Sequence, residues 1–297
     1  MGVGQRDACP FCGGVSRPAF KASDWNQHST TKSFAYSRCK DCRLIFQHPL
    51  AESLSEFYVH EQYDIPDTSY DFEPRAATQA WKLDLLPRFP AGSRMLEVGP
   101  ATGEFATVAR AAGFKVTLIE MDPECCTYLR DVLKHDVIES ANPAMSIPDE
   151  KFDIICVWQA IEHIPNFWAL IESATRHLKS GGILAMSTPN PDAFQARLLG
   201  QYWPHLDAPR HLYLIPPAWY NGLAAKMGLR VRSLTTRDVG SVGLNYYGWF
   251  LWVRNWPGRF ISPERIGRWA AKLTNMFSSR ELKEGSGASY VVLLEKV

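Results

Sequence analysis

A doubly wound α/β fold with a seven-stranded, mostly parallel sheet is predicted by three observations. The apolar run 94–98 enters a short turn with a glycine at each end, Gly99 and Gly103, and a helix follows. From residue 94 to residue 235, segments of strand length alternate with segments of helix length. The run Val116-Thr117-Leu118-Ile119 ends on an acid, Glu120, where a parallel sheet presents its carboxyl edge.

The elements follow in order. Residues 75–86 read as a helix closed by Pro87, and 94–98 as the first strand. A helix over 104–112 ends at Gly113, a cap that tolerates left-handed backbone. The second strand is 115–120, and the helix after it runs from Pro123 to about Lys134. A weak strand lies at 136–139, and the fourth spans 153–158. The helix 167–178 leads through Gly181-Gly182 into a strand at 183–187. Helix 217–227, capped by Gly228, precedes a strand at 229–235, and 288–295 is the last strand.

The glycine turn points to a nucleoside ligand. Glycine lets a ligand approach the backbone, and an acid at Glu120 can accept from both ribose hydroxyls. The turn lacks the middle glycine of the dinucleotide pattern G-x-G-x-x-G. Glu104 stands where a pyrophosphate would dock and would repel it. S-adenosylmethionine carries no phosphate, and Glu97 can face its positive charges.

At these residues the chain resembles the class I S-adenosylmethionine-dependent methyltransferases, with further motifs in the family's order. Phe152 to His163 is similar to the fourth strand and its loop, Leu178 to Leu184 to the turn into the fifth, and Ser187-Thr188-Pro189-Asn190 to that strand's end. The resemblance covers about residues 75–297. It implies S-adenosylmethionine held by Glu97, Gly99, Ala101, Gly103, Glu120, Met121 and Gln159, and a last strand antiparallel to its neighbours.

Four of the seven cysteines form two C-x-x-C pairs, Cys9 with Cys12 and Cys39 with Cys42, with 26 residues between them. That spacing predicts a structural, tetrahedral zinc ribbon over residues 1–48, because four thiolates leave no open position. Two such pairs disfavour a redox role. Cys125, Cys126 and Cys156 read as small apolar fillers. Residues 49–92 read as a connector with helices over the cofactor. There Tyr63 or Tyr70 could cover the site, although packing is the favoured role. Residues 93–297 form the methyltransferase domain, with an aromatic and basic helical insertion at 240–285 that includes Arg259, Arg265 and Arg268. An extra helix pair or a lid over an apolar acceptor is preferred there to peripheral membrane contact through 244–256.

A net charge of +1 argues against a dedicated nucleic-acid binder. No apolar leader or spanning run is present, which predicts a cytoplasmic location. Methyl transfer to oxygen needs a base, and His163, His205 and His211 fall in loops expected at the carboxyl edge. His211 is expected first, because Arg210 and Tyr213 beside it could orient an acceptor, and His163 second. In quinone-biosynthesis O-methyltransferases a similar loop reads E-x-x-E-H and binds a divalent metal. Here Gln159 replaces the first acid, so no metal is expected in that loop. The absence of an Asn/Asp-Pro-Pro-Tyr loop disfavours methylation of adenine or glutamine nitrogen. The expected activity is O-methylation, with C-methylation second, of a small metabolite such as a sugar, a phenolic or quinone precursor, or a lipid-linked intermediate. The alternatives are an RNA methyltransferase that uses the ribbon to bind substrate, and a catalytically silent module that binds a partner.

Overall fold

The structure, a computed structural model, describes residues 8–50, 54, 57, 64–66, 69–256 and 262–297 (for 69–71, the backbone only). Tyr63, Arg259 and the side chain of Tyr70 lie outside the described residues.

The main sheet is built from β4 (Arg94–Val98), β5 (Lys115–Glu120), β6 (Asp136–Glu139), β7 (Phe152–Trp158), β8 (Leu178–Pro189), β10 (Leu229–Thr235) and β11 (Ser289–Lys296). Its spatial order is β10-β11-β8-β7-β4-β5-β6. β4 pairs in parallel with β5 and with β7, and β7 with β8. β11 runs antiparallel to both of its neighbours, as the resemblance implies. The central strands are buried on both faces, which is why β7 reads as a nearly continuous apolar run.

Alternate residues of these strands feed two cores. Leu96, Val98, Ile155, Val157, Leu184 and Met186 point to one face, against α6 (Phe167–His177) and α8 (Trp219–Lys226). Met95, Ile154, Cys156, Trp158 and Ala185 point to the other, against α3 (Glu104–Ala111) and α2 (Trp81–Leu85). Cys156 is thus the expected small filler, and Cys125 and Cys126 are buried as well.

Two expected helices are interrupted. Residues 75–86 divide into α1 (Ser69–Ala77) and α2. Between them the backbone bonds tighten to the i→i+3 kind, and the Thr78 hydroxyl donates to the Arg75 carbonyl. The helix at Pro123 is α-helical only over α4 (Pro123–Thr127) and then widens into a π-turn, Tyr128–Val132. The widened turn sets Leu129 against Gly103, where a Cβ would come within 2.4 Å of its methyl.

A second sheet has the order β1-β2-β3-β9 and consists of β1 (Ser16–Ser23), β2 (Ser33–Cys39), β3 (Ile45–Gln47) and β9 (Tyr213–Leu214). Its last strand comes from the loop after β8, so the N-terminal segment does not close its own sheet. Cys9, Cys39, Leu44 and Phe46 share the core under α6 and α8. The Phe11 ring lies 4.8 Å from Trp219 and 5.8 Å from Trp168.

A buried ion cluster joins the two sheets. Arg210, 1% exposed, donates from Nη2 to Asp24 and to Asp207, both at 2.7 Å, and from Nε to Asp207 at 2.9 Å. Its Nη1 reaches Asp24 and the Phe57 carbonyl. Asn26 donates to Asp207, and the Tyr36 hydroxyl to the His211 carbonyl at 2.8 Å.

Removing one partner of such a cluster leaves buried charge uncompensated. Asp24→Ala should therefore cost about 3–5 kcal/mol of unfolding free energy in denaturant titrations. Asp207 is held down to about 2 by Arg210, although burial opposes the shift. Asp24 is also lowered against its burial, again by Arg210. Both folded values lie below the unfolded ones. The cluster's contribution should thus be complete above about pH 4 and fade as the pH falls toward 2.

Candidate active site

The glycine turn leaves β4 at the carboxyl edge. Gly99 and Gly103 both have left-handed backbone, with φ of +69° and +84°. The sequence suggested that they make room for a ligand, yet packing within the chain already demands them. A Cβ on Gly99 would lie 2.8 Å from that of Ala160, and Gly103 meets Leu129. Ala101 and Gln159 are also left-handed, at φ of 51° and 50°, which is strained for a residue with a side chain.

Two acids stand at this edge. Glu120, 3% exposed, draws the turn to itself. It accepts from the backbone N–H of Ala101 at 2.9 Å, Met121 at 2.7 Å and Asp122 at 2.9 Å. Burial nonetheless raises its pKa. Glu97 is buried on β4, and its Oε2 has no hydrogen-bond partner among the described residues. Burial pushes it up to about 7, against the pull of Lys82. An orphaned carboxylate oxygen at a strand end suits a cationic ligand group. Met121, 61% exposed beside Glu120, offers an open apolar surface.

At the end of β7, the Gln159 amide donates to the Ser187 hydroxyl at 3.1 Å. The loop continues through Glu162 and His163. The structure brings both next to His211, whose ring lies 4.6 Å from that of His163. Each histidine donates from Nδ1 to a carbonyl, His163 to Arg210 and His211 to His205, both at 3.0 Å. The His211 Nε2 lone pair is left 3.8 Å from Glu162 and 4.0 Å from Asp207. Burial and the neighbouring His163 lower His211 to about 3. Burial raises Glu162 to about 8, and neither of its oxygens has a hydrogen-bond partner among the described residues. The donor atoms of Glu162, His163 and His211 lie within 4.8 Å of one another, close enough to pass a proton or share a cation. Gln159 stands apart from this cluster.

Two expected roles change. Arg210 and Tyr213 do not face an acceptor: Arg210 is enclosed by Asp24 and Asp207, and the Tyr213 hydroxyl donates to the Pro165 carbonyl at 2.6 Å. His205 ties its loop to the Leu244 carbonyl at 2.8 Å.

A cavity of about 380 Å³ opens between α2 and α9 (Val239–Arg254), with Gln159 and Ser187 at its floor. Its aromatic walls are Trp81, Trp158 and Tyr247. Gly240, Gly243, Leu244 and Tyr247 of the aromatic insertion line it. Ser187 faces this cavity, whereas the next residue, Thr188, turns toward the histidine side. The two histidines therefore flank the edge from the opposite face, which loop position alone could not reveal. Lys82 also lines the cavity and was not singled out in the sequence, because nothing local marks it.

The four N-terminal cysteines converge. Sγ of Cys9 is 3.7 Å from that of Cys42, and Sγ of Cys12 is 3.5 Å from that of Cys39. All four lie within 4.8 Å of one another. A tetrahedral ion with metal–sulfur bonds of about 2.3 Å spaces its sulfurs about 3.8 Å apart.

Residues 71–234, more than half of the chain, match the family described as a methyltransferase domain. The chain is similar to a ubiquinone biosynthesis O-methyltransferase of Xanthomonas oryzae pv. oryzae, 32% identical over 171 residues, 54% of this chain and 69% of that protein. It is also similar to a 27-O-demethylrifamycin SV methyltransferase of Amycolatopsis mediterranei, 33% identical over 119 residues, 36% of this chain and 43% of that one. A solved SAM-dependent methyltransferase from Archaeoglobus fulgidus shares the fold, with a TM-score of 0.50 and 16% identity over 77% of this chain and 100% of that one. No helix among the described residues is long and apolar enough to cross a membrane.

Glu162 generates a test of the site's electrostatics. Its folded pKa of about 8 lies above the ordinary carboxylate value, so the native state keeps a proton that the unfolded chain releases. Stability should fall as pH rises from about 5 to 8. Glu162→Gln, which cannot ionise, should flatten that slope in melting temperatures measured across the range. Parallel slopes for the two proteins would mean that the carboxyl is ionised throughout.

Proposed function

We propose that this chain, which belongs to the S-adenosylmethionine-dependent methyltransferases through its methyltransferase domain, transfers the methyl group to an oxygen of a small molecule. The observation that carries the cofactor reading is the joined pair of β-strand ends. Glu120 binds the turn at Ala101, and the orphaned carboxylate of Glu97 lies buried beside it. When bound, S-adenosylmethionine supplies a methyl on a sulfonium, which is already an activated leaving group.

In this reading Glu120 accepts from the ribose hydroxyls, and Glu97 faces the ammonium. Gly99, Ala101 and Gly103 shape the turn, Met121 meets the base, and Gln159 borders the reacting end. Oxygen is favoured because both relatives are named for transfer to oxygen. An acceptor lying across the ends of β7 and β8 reaches the cavity on one face and the histidines on the other. His211 acts as the base, with His163 second, because its Nδ1 is held by the His205 carbonyl and its Nε2 lone pair is left beside Glu162, which can take up the proton's charge. Residues 93–297 carry the transfer, and 49–92 cover the cofactor. Cys9, Cys12, Cys39 and Cys42 hold a structural zinc, whose expected sulfur spacing matches the observed 3.5 and 3.7 Å.

Calorimetry with S-adenosylhomocysteine tests the first assignment. Glu120→Ala should lose roughly 2–4 kcal/mol of binding, and Glu120→Gln less, because the amide still accepts. In the same preparations His211→Gln should bind S-adenosylhomocysteine normally and lower turnover roughly 10²–10⁴-fold. Unchanged affinity in Glu120→Ala would overturn the cofactor site, and unchanged turnover in His211→Gln would remove the base.

Elemental analysis should find one zinc per chain, absent from a Cys39→Ser, Cys42→Ser double variant. Because β3 pairs with β9 beside His211, that variant should lose activity together with its N-terminal sheet. A fully folded, metal-free preparation would count against zinc.

A further inference from the structure

Lys82 is the feature that the proposed transfer leaves unused. It comes from α2 and is carried into the cavity at the carboxyl edge. Its ammonium sits 5.1 Å from the centre of the Trp158 ring and 5.3 Å from that of Phe105. Ring faces attract a cation but do not neutralise it. No described residue forms a hydrogen bond or an ion pair with it. Glu97 and Glu104 act on it only through space. Glu104 is engaged by Arg75 at 2.8 Å and by the Thr102 hydroxyl at 2.7 Å, and Glu97 is the acid assigned to the cofactor's ammonium. Asp238 also borders the cavity, but its carboxylate caps α9 by accepting from the Ser241 N–H at 2.9 Å.

The remaining lining suits a flat molecule. Trp81, Trp158 and Tyr247 supply its aromatic lining. Gly240 lets the first turn of α9 rest on Trp81, where a Cβ would come within 2.7 Å of the indole. Gln159 and Ser187, at the ends of β7 and β8, supply polar groups. A volume of about 380 Å³ falls within the usual size of a small-ligand site.

The geometry points to this cavity as the acceptor site, with Lys82 anchoring an anionic group, so that the acceptor class is a planar aromatic anion. This inference rests on the methyltransferase reading above and adds the acceptor's charge and shape to it. Burial lowers the Lys82 pKa, which is the cost that an incoming anion would offset. An aromatic ring between the tryptophans and Tyr247 would present a hydroxyl toward Gln159 and Ser187.

The test measures binding by calorimetry on the full chain, with and without saturating S-adenosylhomocysteine. Benzoate, salicylate and gallate are each compared with the neutral amide. At least one acid should bind about ten-fold or more tightly than its amide. Lys82→Met should bring acid and amide to within about two-fold, and Lys82→Arg should keep most of the preference. S-adenosylhomocysteine affinity should change less than about two-fold in either variant. If no acid is preferred by the unaltered protein, the inference is overturned. It is equally overturned if Lys82→Met weakens S-adenosylhomocysteine while sparing the acid preference, because Lys82 would then serve the cofactor. Failure of the unaltered protein to bind S-adenosylhomocysteine would sink the cofactor reading instead. The series without it still decides the role of Lys82.

Discussion

The guanidinium of Arg210 organises this molecule. It lies between Asp207 and Asp24, the latter 186 residues away from it in the chain, with almost no exposure to water. Burying three charges is costly, and the arrangement holds because the planar fork meets both carboxylates and a carbonyl at once. Its position fixes the path of the chain around it. Asp207 sits in a left-handed turn, with φ of 40°, and begins the short bend that delivers His211. β9 comes directly after and completes the N-terminal sheet. Tyr36 holds the His211 carbonyl from the other side. The histidine pair, the small sheet and the edge of the large sheet are thus registered against one another by a single side chain.

The carboxyl edge carries three buried acids, Glu97, Glu120 and Glu162. Burial raises all three, to about 7 for the first and about 8 for the last. They differ in how they are satisfied. Glu120 is wrapped by backbone N–H groups, which tie the glycine turn to the end of β5. Among the described residues the Oε2 of Glu97 has no hydrogen-bond partner, and such an atom suits a ligand or a proton. The edge therefore carries two distinct environments along its length, a lone buried acid on β4 and a cluster of one acid and two histidines beyond β7.

Much of the large sheet was legible in the sequence. β4, β5, β6 and β10 begin and end where alternation and turn residues place them, since short buried strands bounded by Gly, Asp and Pro leave little choice of register. Helices were less legible. The break between α1 and α2 and the π-turn after α4 depend on local hydrogen bonds and on contact with Gly103, which helical periodicity does not encode. At the carboxyl edge, the turn itself was readable because one short stretch carries both of its left-handed glycines. Arg210 was misread as an acceptor contact because its partner Asp24 lies in a separate module. Lys82 was missed because the cavity is assembled from α2, β7, β8 and α9, and no local pattern unites them.

The chain path of β9 has a topological consequence. The four cysteines come together within the first 42 residues, but the sheet they support is closed only by Tyr213 and Leu214. Until those residues are in place, β3 is an open edge, with Ile45 and Phe46 and their unpaired backbone groups exposed to any other strand. During synthesis that edge must wait while five of the seven strands of the large sheet emerge. A module made before the large sheet is therefore sealed only after most of that sheet's parallel strands exist, and a chain cut before Tyr213 would carry a sticky strand in place of a finished wall.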